Sequence, residues 1–546
     1  MGVWYSFHIK KKSYRRMYGM KVRRQRLLRD ALYMSAEKYP DKSALVVEGK
    51  PVTYRELLDS SLRMAAVLIK LGVKRGDRVA IYMDNSLPAV VAIYGTLLAG
   101  AVFLNINPET KKEKLHFILD DSESVVLVSD TRLSEHYGWA AERLPQLRAI
   151  ISSGDSPDRG NGKTEIIPFA EVLKHNEPLA EPVFTIPNDL AAFIYTSGST
   201  GFPKGVMQTN LAMVFAAHSI SEYLRMSEND RILLVLPVSF DYGLYQLLMS
   251  VTLGATLVVE RSFIYPAQIY NRIRAQEITV FPGVPTIYAT LVASHRKSGI
   301  SFPSVTRVTN TAAALPEEFL DYLKKIFPNA LIFKMYGLTE CKRVAYLEPE
   351  LLDEKPGSVG KAIPGTEIFI RNSDGERAAA NEPGLLFVRG PHVMAGYWKR
   401  PQETEKMLHP GFIPGERMLC TQDVMKMDEE GFLYFVGRTD DIIKTRGEKV
   451  SPVEIEEVIY SLDAVREAVV LGVPDESLGE AVRAFVVPAE NRALSERDIK
   501  QVCAQKLENF MVPRDVIILD EMPLSPNGKI DKKKLAKWDT VEAAEQ

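Results

Sequence analysis

From about residue 50 to residue 340, short apolar runs of strand length alternate with longer segments whose apolar residues recur every three or four positions. The runs 79–83, 192–195, 232–236, 279–281 and 331–334 predict strands, and 211–224 and 268–275 predict helices. That alternation builds βαβ units and largely parallel sheets with helices on both faces. The least charged stretch, 85–108, reads as a helix over 89–98 that turns at Gly100 into a strand over 101–104. Its polar ends, Gly95 and Thr96 leave it short of the ~18 to 20 apolar residues of a spanning helix, so no integral membrane segment is expected. Between about 356 and 437 the pattern becomes β-rich, with strands at 367–371, 385–389 and 432–436 separated by Pro364-Gly365, Pro383-Gly384 and Pro414-Gly415. After Gly437-Arg438 a new segment opens on Ser451-Pro452-Val453-Glu454, which reads as a capping box starting a helix to about Tyr460. Strands at 468–471, 483–487 and 516–519 and a helix at 496–507 complete a stretch long enough for a small α+β domain.

Composition narrows this picture. The chain has 546 residues, room for about three to four domain-sized units. An apolar share of 46% excludes a mostly disordered chain. Lys+Arg 68 against Asp+Glu 70 leaves a net charge of −2, which argues against a nucleic-acid partner. Cys341, Cys420 and Cys503 show no CxxC spacing, so neither a disulfide scaffold nor a cysteine zinc site is expected, and a cytoplasmic location is. Residues 1–25 form a basic extension, read as a solvated tail or as an upstream start before Met20; a basic surface helix or transit segment is the alternative.

The chemistry concentrates in Thr196-Ser197-Gly198-Ser199-Thr200-Gly201-Phe202-Pro203-Lys204-Gly205. A strand is expected to feed this loop, with a lysine and a helix after it. Backbone N–H groups, hydroxyls and an ammonium would then close on phosphate oxygens. It is not a Walker A loop, because Pro203 stands where glycine is required and Lys204 precedes Gly205.

With this loop the chain resembles the adenylate-forming superfamily: acyl-CoA synthetases, amino-acid adenylation domains, aryl-acid ligases and luciferase. The resemblance continues over roughly residues 25 to 535. It implies a nucleotide site made by Thr196, Ser197, Gly198, Ser199, Thr200 and Lys204 on phosphate and by Ala313 (in Ala312-Ala313-Ala314-Leu315) and Tyr336 on adenine. Tyr336-Gly337-Leu338-Thr339-Glu340 would add the Thr339 hydroxyl on the α-phosphate and the Glu340 carboxylate on Mg²⁺. Thr421-Gln422-Asp423 stands where the family has Thr-Gly-Asp, with Asp423 on the ribose hydroxyls and Arg438 beside it. Asp440 would be the hinge, Lys444 a residue of the thioester half-reaction, Gly447 part of the thiol tunnel, and Lys529 the near-terminal catalytic lysine. The implied fold class is α/β: a large N-terminal AMP-binding domain over 26–438, with mixed, mostly parallel sheets and the β-rich module. A small mobile α+β lid over 441–546 would follow it.

The implied function is an ATP-dependent, AMP-forming carboxylic acid–thiol ligase. It uses ATP, Mg²⁺ and the thiol of CoA or of a carrier-protein phosphopantetheine. The carboxylate and the α-phosphate are both anionic, so cations and oriented donors must cancel their repulsion, and Lys529 is the natural bridge. No Ser-His-Asp or Cys-His pattern is evident, and none is needed. An amino-acid adenylation enzyme loading a carrier protein is the alternative function. A homologue without catalysis and a luciferase-like oxygenase are also weighed, and the intact Thr339, Glu340, Asp423, Arg438 and Lys529 argue for an active ligase. For the acid itself, Asp241 either pairs with a substrate amine or caps a helix over 242–250. Arg343, one helical turn beyond Glu340 if that segment coils, either clamps a second carboxylate or makes an internal ion pair.

Overall fold

The computed structural model describes residues 24–154, 164–196, 203–311, 315–439, 441–445, 448–475, 478–490, 492–525 and 530–538. Two compact units divide the chain, residues 1–262 with 394–399 and residues 263–393 with 400–546. The linker expected near 439–440 falls inside the second unit, where Asp440 is outside the described residues.

The first unit carries the expected βαβ winding. Arg78–Tyr82 is flanked by Val102–Ile106 on one side and Ser124–Asp130 on the other, all parallel, and Ala149–Ser153 and Glu165–Pro168 extend the sheet. Helix Leu87–Leu98 crosses from the first of these strands to the second. Every residue of Val102–Ile106 is buried, because helices cover both faces of such a sheet. Its core joins Ala80, Tyr82, Leu104, Leu115, Leu127 and Phe193, among others. Helix Tyr54–Lys70 starts on a complete capping box: Thr53 Oγ1 accepts the Glu56 N–H, and the Glu56 carboxylate accepts the Thr53 N–H at 2.8 Å. A second set of strands pairs Ser43–Val47 and Arg231–Leu234 in parallel with Thr256–Val259. Helix Asp241–Leu253 connects the last two and ends at Gly254, whose φ of +75° suits glycine.

The second unit begins with parallel strands Val280–Gly283, Arg307–Asn310 and Leu331–Tyr336. From there pairing turns antiparallel through Ala345–Leu347 and Ser358–Ala362 to Leu433–Arg438, then Arg417–Met427, Gly384–Arg389 and Glu367–Arg371. This is the β-rich module expected from the Pro-Gly turns. Its longest strand, Arg417–Met427, is one that the apolar pattern did not announce. Gln422 lies in the left-handed region at φ +61°, and the register slips between Val424 and Met425, so the alternation along it is broken.

The C-terminal part of the second unit forms a five-stranded sheet around the hairpin Val465–Asp475 and Gly479–Pro488. These strands run well past the expected 468–471 and 483–487, because Gly472 and Pro474 read as breaks in sequence yet stay in the ladder. Val470, Val482, Ala484 and Val486 face helices Pro452–Tyr460 and Glu496–Lys506, through Ile455, Ile459, Ile499 and Cys503. Their neighbours Val469, Phe485 and Val487 face the other way, onto Leu519, Met522 and Leu535. The expected capping box at Ser451 is half formed. Its hydroxyl accepts the Glu454 N–H at 3.4 Å and donates to the Val436 carbonyl, and the reciprocal Glu454 contact is not made among the described residues. That hydroxyl thereby ties the helix to the strand Leu433–Arg438. No helix among the described residues is long and apolar enough to cross a membrane.

Candidate active site

Three residues from three strands of the second unit meet around one carboxylate. Tyr336 ends the strand Leu331–Tyr336, and its hydroxyl donates to Asp423 Oδ2. Asp423 and Arg438 are register partners in the pair Arg417–Met427 and Leu433–Arg438, and Arg438 Nε donates to Asp423 Oδ1 at 3.1 Å. The Asp423 side chain is 3% exposed whereas that of Arg438 is 59% exposed, so the pair presents its cation outward. Burial pushes the Asp423 carboxyl up; Arg438 and the Tyr336 hydroxyl draw it back, and the charge of nearby Glu340 adds to the push. Burial also holds the Tyr336 phenol well above its usual range, reinforced by the Asp423 charge, so Tyr336 stays a donor. A carboxylate fixed in this way can accept two vicinal hydroxyl donors.

Backbone conformation aims Asp423. The Thr421 hydroxyl donates to the Leu386 carbonyl and accepts the Asp423 N–H, both at 3.1 Å. Thr439 returns to the Gln422 carbonyl through its N–H at 3.0 Å and its hydroxyl at 2.8 Å. Gln422, in the glycine position of the resembling motif, takes the left-handed conformation that glycine adopts freely. The backbone geometry survives the replacement because Thr439 holds it from the far side.

The segment after Tyr336 is a tight reversal. A Cβ on Gly337 would sit 2.2 Å from the Lys342 carbonyl oxygen and 2.8 Å from Arg343 Cα, so only glycine fits there. Leu338 accepts the N–H groups of Cys341 and Lys342, and Lys342 itself is left-handed at φ +68°. Thr339 and Glu340 stand half-buried at this turn. Arg343 is therefore not one helical turn beyond Glu340 as expected. It leaves a left-handed residue to enter the strand Ala345–Leu347, is 5% exposed, and donates from Nη1 to the Lys342 carbonyl. His392 is fully buried, and that burial lowers the pKa of its ring to about 4, so the ring is neutral. Sequence reasoning missed both His392 and Lys342, since neither a lone histidine nor a lysine in a turn advertises burial.

In the first unit, Thr196 and Lys204 are register partners of an antiparallel hairpin, Leu190–Thr196 with Lys204–Thr209. The expectation of a loop, a lysine and then a helix is corrected here: Lys204 opens a second strand, and the helix starts only at Asn210. Val206 and Gln208 alternate inward along it, a period of two that the short run concealed. The Lys204 ammonium lies 5.5 Å from the centre of the Tyr397 ring. Asp241 is buried, and it is the first residue of helix Asp241–Leu253 rather than its cap; Phe240 holds the cap position. An acid in that first turn is favoured by the helix dipole. Lys444 is exposed on strand Ile443–Thr445, and its N–H donates to Glu480 at 2.6 Å. Ser197, Gly198, Ser199, Thr200, Ala313, Asp440, Gly447 and Lys529 lie outside the described residues.

A buried carboxylate offered to a diol, beside a reversal carrying a hydroxyl and a second carboxylate, is suited to a nucleotide. Residues 32–398 match the family described as AMP-binding enzyme, and residues 454–529 match the AMP-binding enzyme C-terminal domain. The long-chain-fatty-acid–CoA ligase of Bacillus subtilis (strain 168) is 32% identical over 537 residues, 94% of each chain. The oxalate–CoA ligase of Arabidopsis thaliana is 31% identical, covering 92% of this chain and 96% of its own. Among solved structures, an anthranilate CoA ligase in complex with anthranoyl-AMP superposes with a TM-score of 0.87 at 26% identity, over 95% of this chain and 98% of that one. The chain belongs to the AMP-binding enzyme family. Within it, the protein is an AMP-forming acid–thiol ligase of the acyl-CoA synthetase kind.

Proposed function

We propose that the protein joins a fatty or aryl carboxylic acid to coenzyme A in two steps, at the expense of ATP. In the first, a carboxylate oxygen attacks the α-phosphorus, the bond to the β-phosphate oxygen breaks, and pyrophosphate leaves. In the second, the thiol sulfur attacks the acyl carbon and the electron pair of the breaking C–O bond departs with AMP, the thiol proton passing to solvent. The observation carrying this reading is the Tyr336–Asp423–Arg438 cluster, a buried acceptor with its own counter-cation.

Asp423 and Arg438 take the ribose, Tyr336, Gly337 and Ala313 the base, and Thr339 the α-phosphate. Thr196, Lys204 and Ser197, Gly198, Ser199 and Thr200 take the departing phosphates. Glu340 fits Mg²⁺, an ion that needs only one or two protein carboxylates when phosphates complete its shell. Bound there, it supplies positive charge against the phosphates. Lys529 neutralises the two clashing anions of the first step, and Lys444 serves the second. Asp440 is the hinge of the small domain, and Gly447 borders the thiol path.

Two observations favour a fatty or aryl acid over an amino acid. The relatives are CoA ligases, and Asp241 already has a structural place at a helix start. A carrier-protein acceptor and an Arg343 clamp on a second carboxylate are the competing choices. Pyrophosphate exchange and thioester formation, measured over fatty, aryl, dicarboxylic and amino acids with CoA or a phosphopantetheinyl carrier, decide among them. Fatty or aryl acids with CoA are expected to turn over, and Asp241→Asn is expected to keep that preference. Turnover confined to amino acids with a carrier would overturn the assignment.

A further inference from the structure

Two buried asparagines of the first unit hold one turn between them. Asn85 lies just beyond the strand Arg78–Tyr82, before the helix Leu87–Leu98, and Asn105 is near the end of the strand Val102–Ile106. Each is only 6% exposed. The Asn85 side chain donates to the carbonyls of Leu236 and Glu260, both at 3.0 Å, and accepts the Val238 N–H at 2.9 Å. Asn105 Nδ2 donates to the Val238 carbonyl at 3.0 Å. Both backbone groups of Val238 are thus bonded to asparagine side chains. The Phe240 N–H closes the turn on the Pro237 carbonyl at 2.9 Å, and helix Asp241–Leu253 starts immediately after it. That helix presses on the same turn. A Cβ on Gly243 would lie 2.3 Å from the Pro237 carbonyl oxygen and 2.6 Å from that of Leu236.

Every anchor stands at or just beyond the carboxyl end of a parallel strand. Asn85 and Asn105 come from one sheet, whereas Leu236 and Glu260 follow the strands Arg231–Leu234 and Thr256–Val259 of another. Ligands of open α/β sheets bind in the crevice outside such ends. The strand of Asn105 also pairs in parallel with Leu190–Thr196, Leu104 opposite Phe193, so the clamp is one strand away from the start of the phosphate loop. An acid that must attack an α-phosphate has to lie beside that loop. Stability is an incomplete account of this arrangement. Asn105 Oδ1 and Ser239 Oγ are buried with no hydrogen-bond partner among the described residues, and an unbonded buried polar atom works against the fold.

We propose that Asn85 and Asn105 are positioning residues for recognition of the acid: they fix the turn 237–240, whose half-buried Phe240 forms a wall of the acid pocket. This rests on the reading of the protein as an acid–CoA ligase and adds to it what sets the choice of acid. Neither asparagine touches the substrate. Their grip on Val238 decides where Phe240 stands, and a misplacement of about 1 Å caused far from the chemistry can cost roughly a hundredfold in rate.

The test compares acids in the full-length enzyme, because the share of folded protein cancels in the ratio of kcat/KM for two acids. Fatty acids of increasing length and benzoate are supplied with ATP and CoA. Asn85→Ser and Asn105→Ser are each expected to shrink the preference for the best acid over the poorer ones by roughly tenfold or more. The KM for that acid should rise and the KM for ATP stay near wild type. Phe240→Ala, which alters the wall and leaves the clamp in place, is expected to move the preference toward bulkier acids. A purely structural role would lower the thermal midpoint and leave the ratios alone. That outcome, an unchanged preference in Phe240→Ala, or an equal rise in the KM for ATP would overturn the proposal. Should the asparagine variants not fold, Gly243→Ala, which drives a methyl group at the Pro237 carbonyl, displaces the same turn; unchanged ratios there overturn the proposal as well. If the wild type turns over no fatty or aryl acid with CoA, the function proposed above fails and this role with it. If it does so while the variants keep its ratios, the positioning role alone fails.

Discussion

At the scale of single residues, the cluster around Asp423 shows how a carboxylate is kept buried and useful together. Desolvation works against its charge, and one arginine and one phenol offset that on the two oxygens separately. Tyr336→Phe removes the second of these and leaves a carboxylate oxygen short of a donor. A hydrogen bond to a charged group contributes about 1.5–3 kcal/mol. The KM for ATP is therefore expected to rise by roughly tenfold or more with the turnover number little changed, and steady-state kinetics over ATP concentration would show it. An unaltered KM would remove Tyr336 from the binding role. The identities of Tyr336, Asp423 and Arg438 were legible in sequence as motif members. Their meeting around one carboxylate was not, because it depends on the register of two strands, one of which carries a bulge. Arg343 was misplaced for a related reason: one left-handed lysine converts an apparent helical spacing into a reversal.

Elements position these residues by what their backbones permit. The reversal from Gly337 to Arg343 exists because the backbone passes within van der Waals contact of Gly337. Gly337→Ala would drive a methyl group into the Lys342 carbonyl, so Thr339 and Glu340 must move. Adenylation is expected to fall by at least tenfold while circular dichroism stays native; full activity in this variant would show that the reversal has slack. Strand and helix order in the first unit followed from alternation, since buried parallel strands and amphipathic helices leave clear signatures. The hairpin Leu190–Thr196 with Lys204–Thr209 did not. Its second strand is short, half of it partly exposed, and it follows a glycine-rich loop that reads as the approach to a helix.

For the whole molecule, pH links the small sheet domain to stability. Burial raises the Glu456 carboxyl from 4.5 to about 7, with Lys532 only partly restoring it. In the unfolded chain the group ionises near its ordinary value. Between about 4.5 and 7 the folded protein therefore holds a proton that the unfolded chain has released, and this stabilising contribution is lost as pH rises through the folded value. Glu456→Gln keeps an acceptor for the Val470 N–H without the titration. Thermal midpoints between pH 5 and pH 8 are expected to fall less steeply with pH in the variant, with the gap widest at pH 8. Identical slopes would mean that Glu456 ionises freely in the fold.

The pairing of Thr196 with Lys204 carries a consequence for how the phosphate loop can vary. Both stems are fixed in one ladder, so the seven residues from Ser197 to Pro203 span a gap of fixed width. Were a change of length there to move the pairing by one, every side chain of the stem would turn to the opposite face. Val206 and Gln208, buried now, would then trade places with Met207 and Thr209. The two buried stem residues thus set the register that any change in the loop has to preserve.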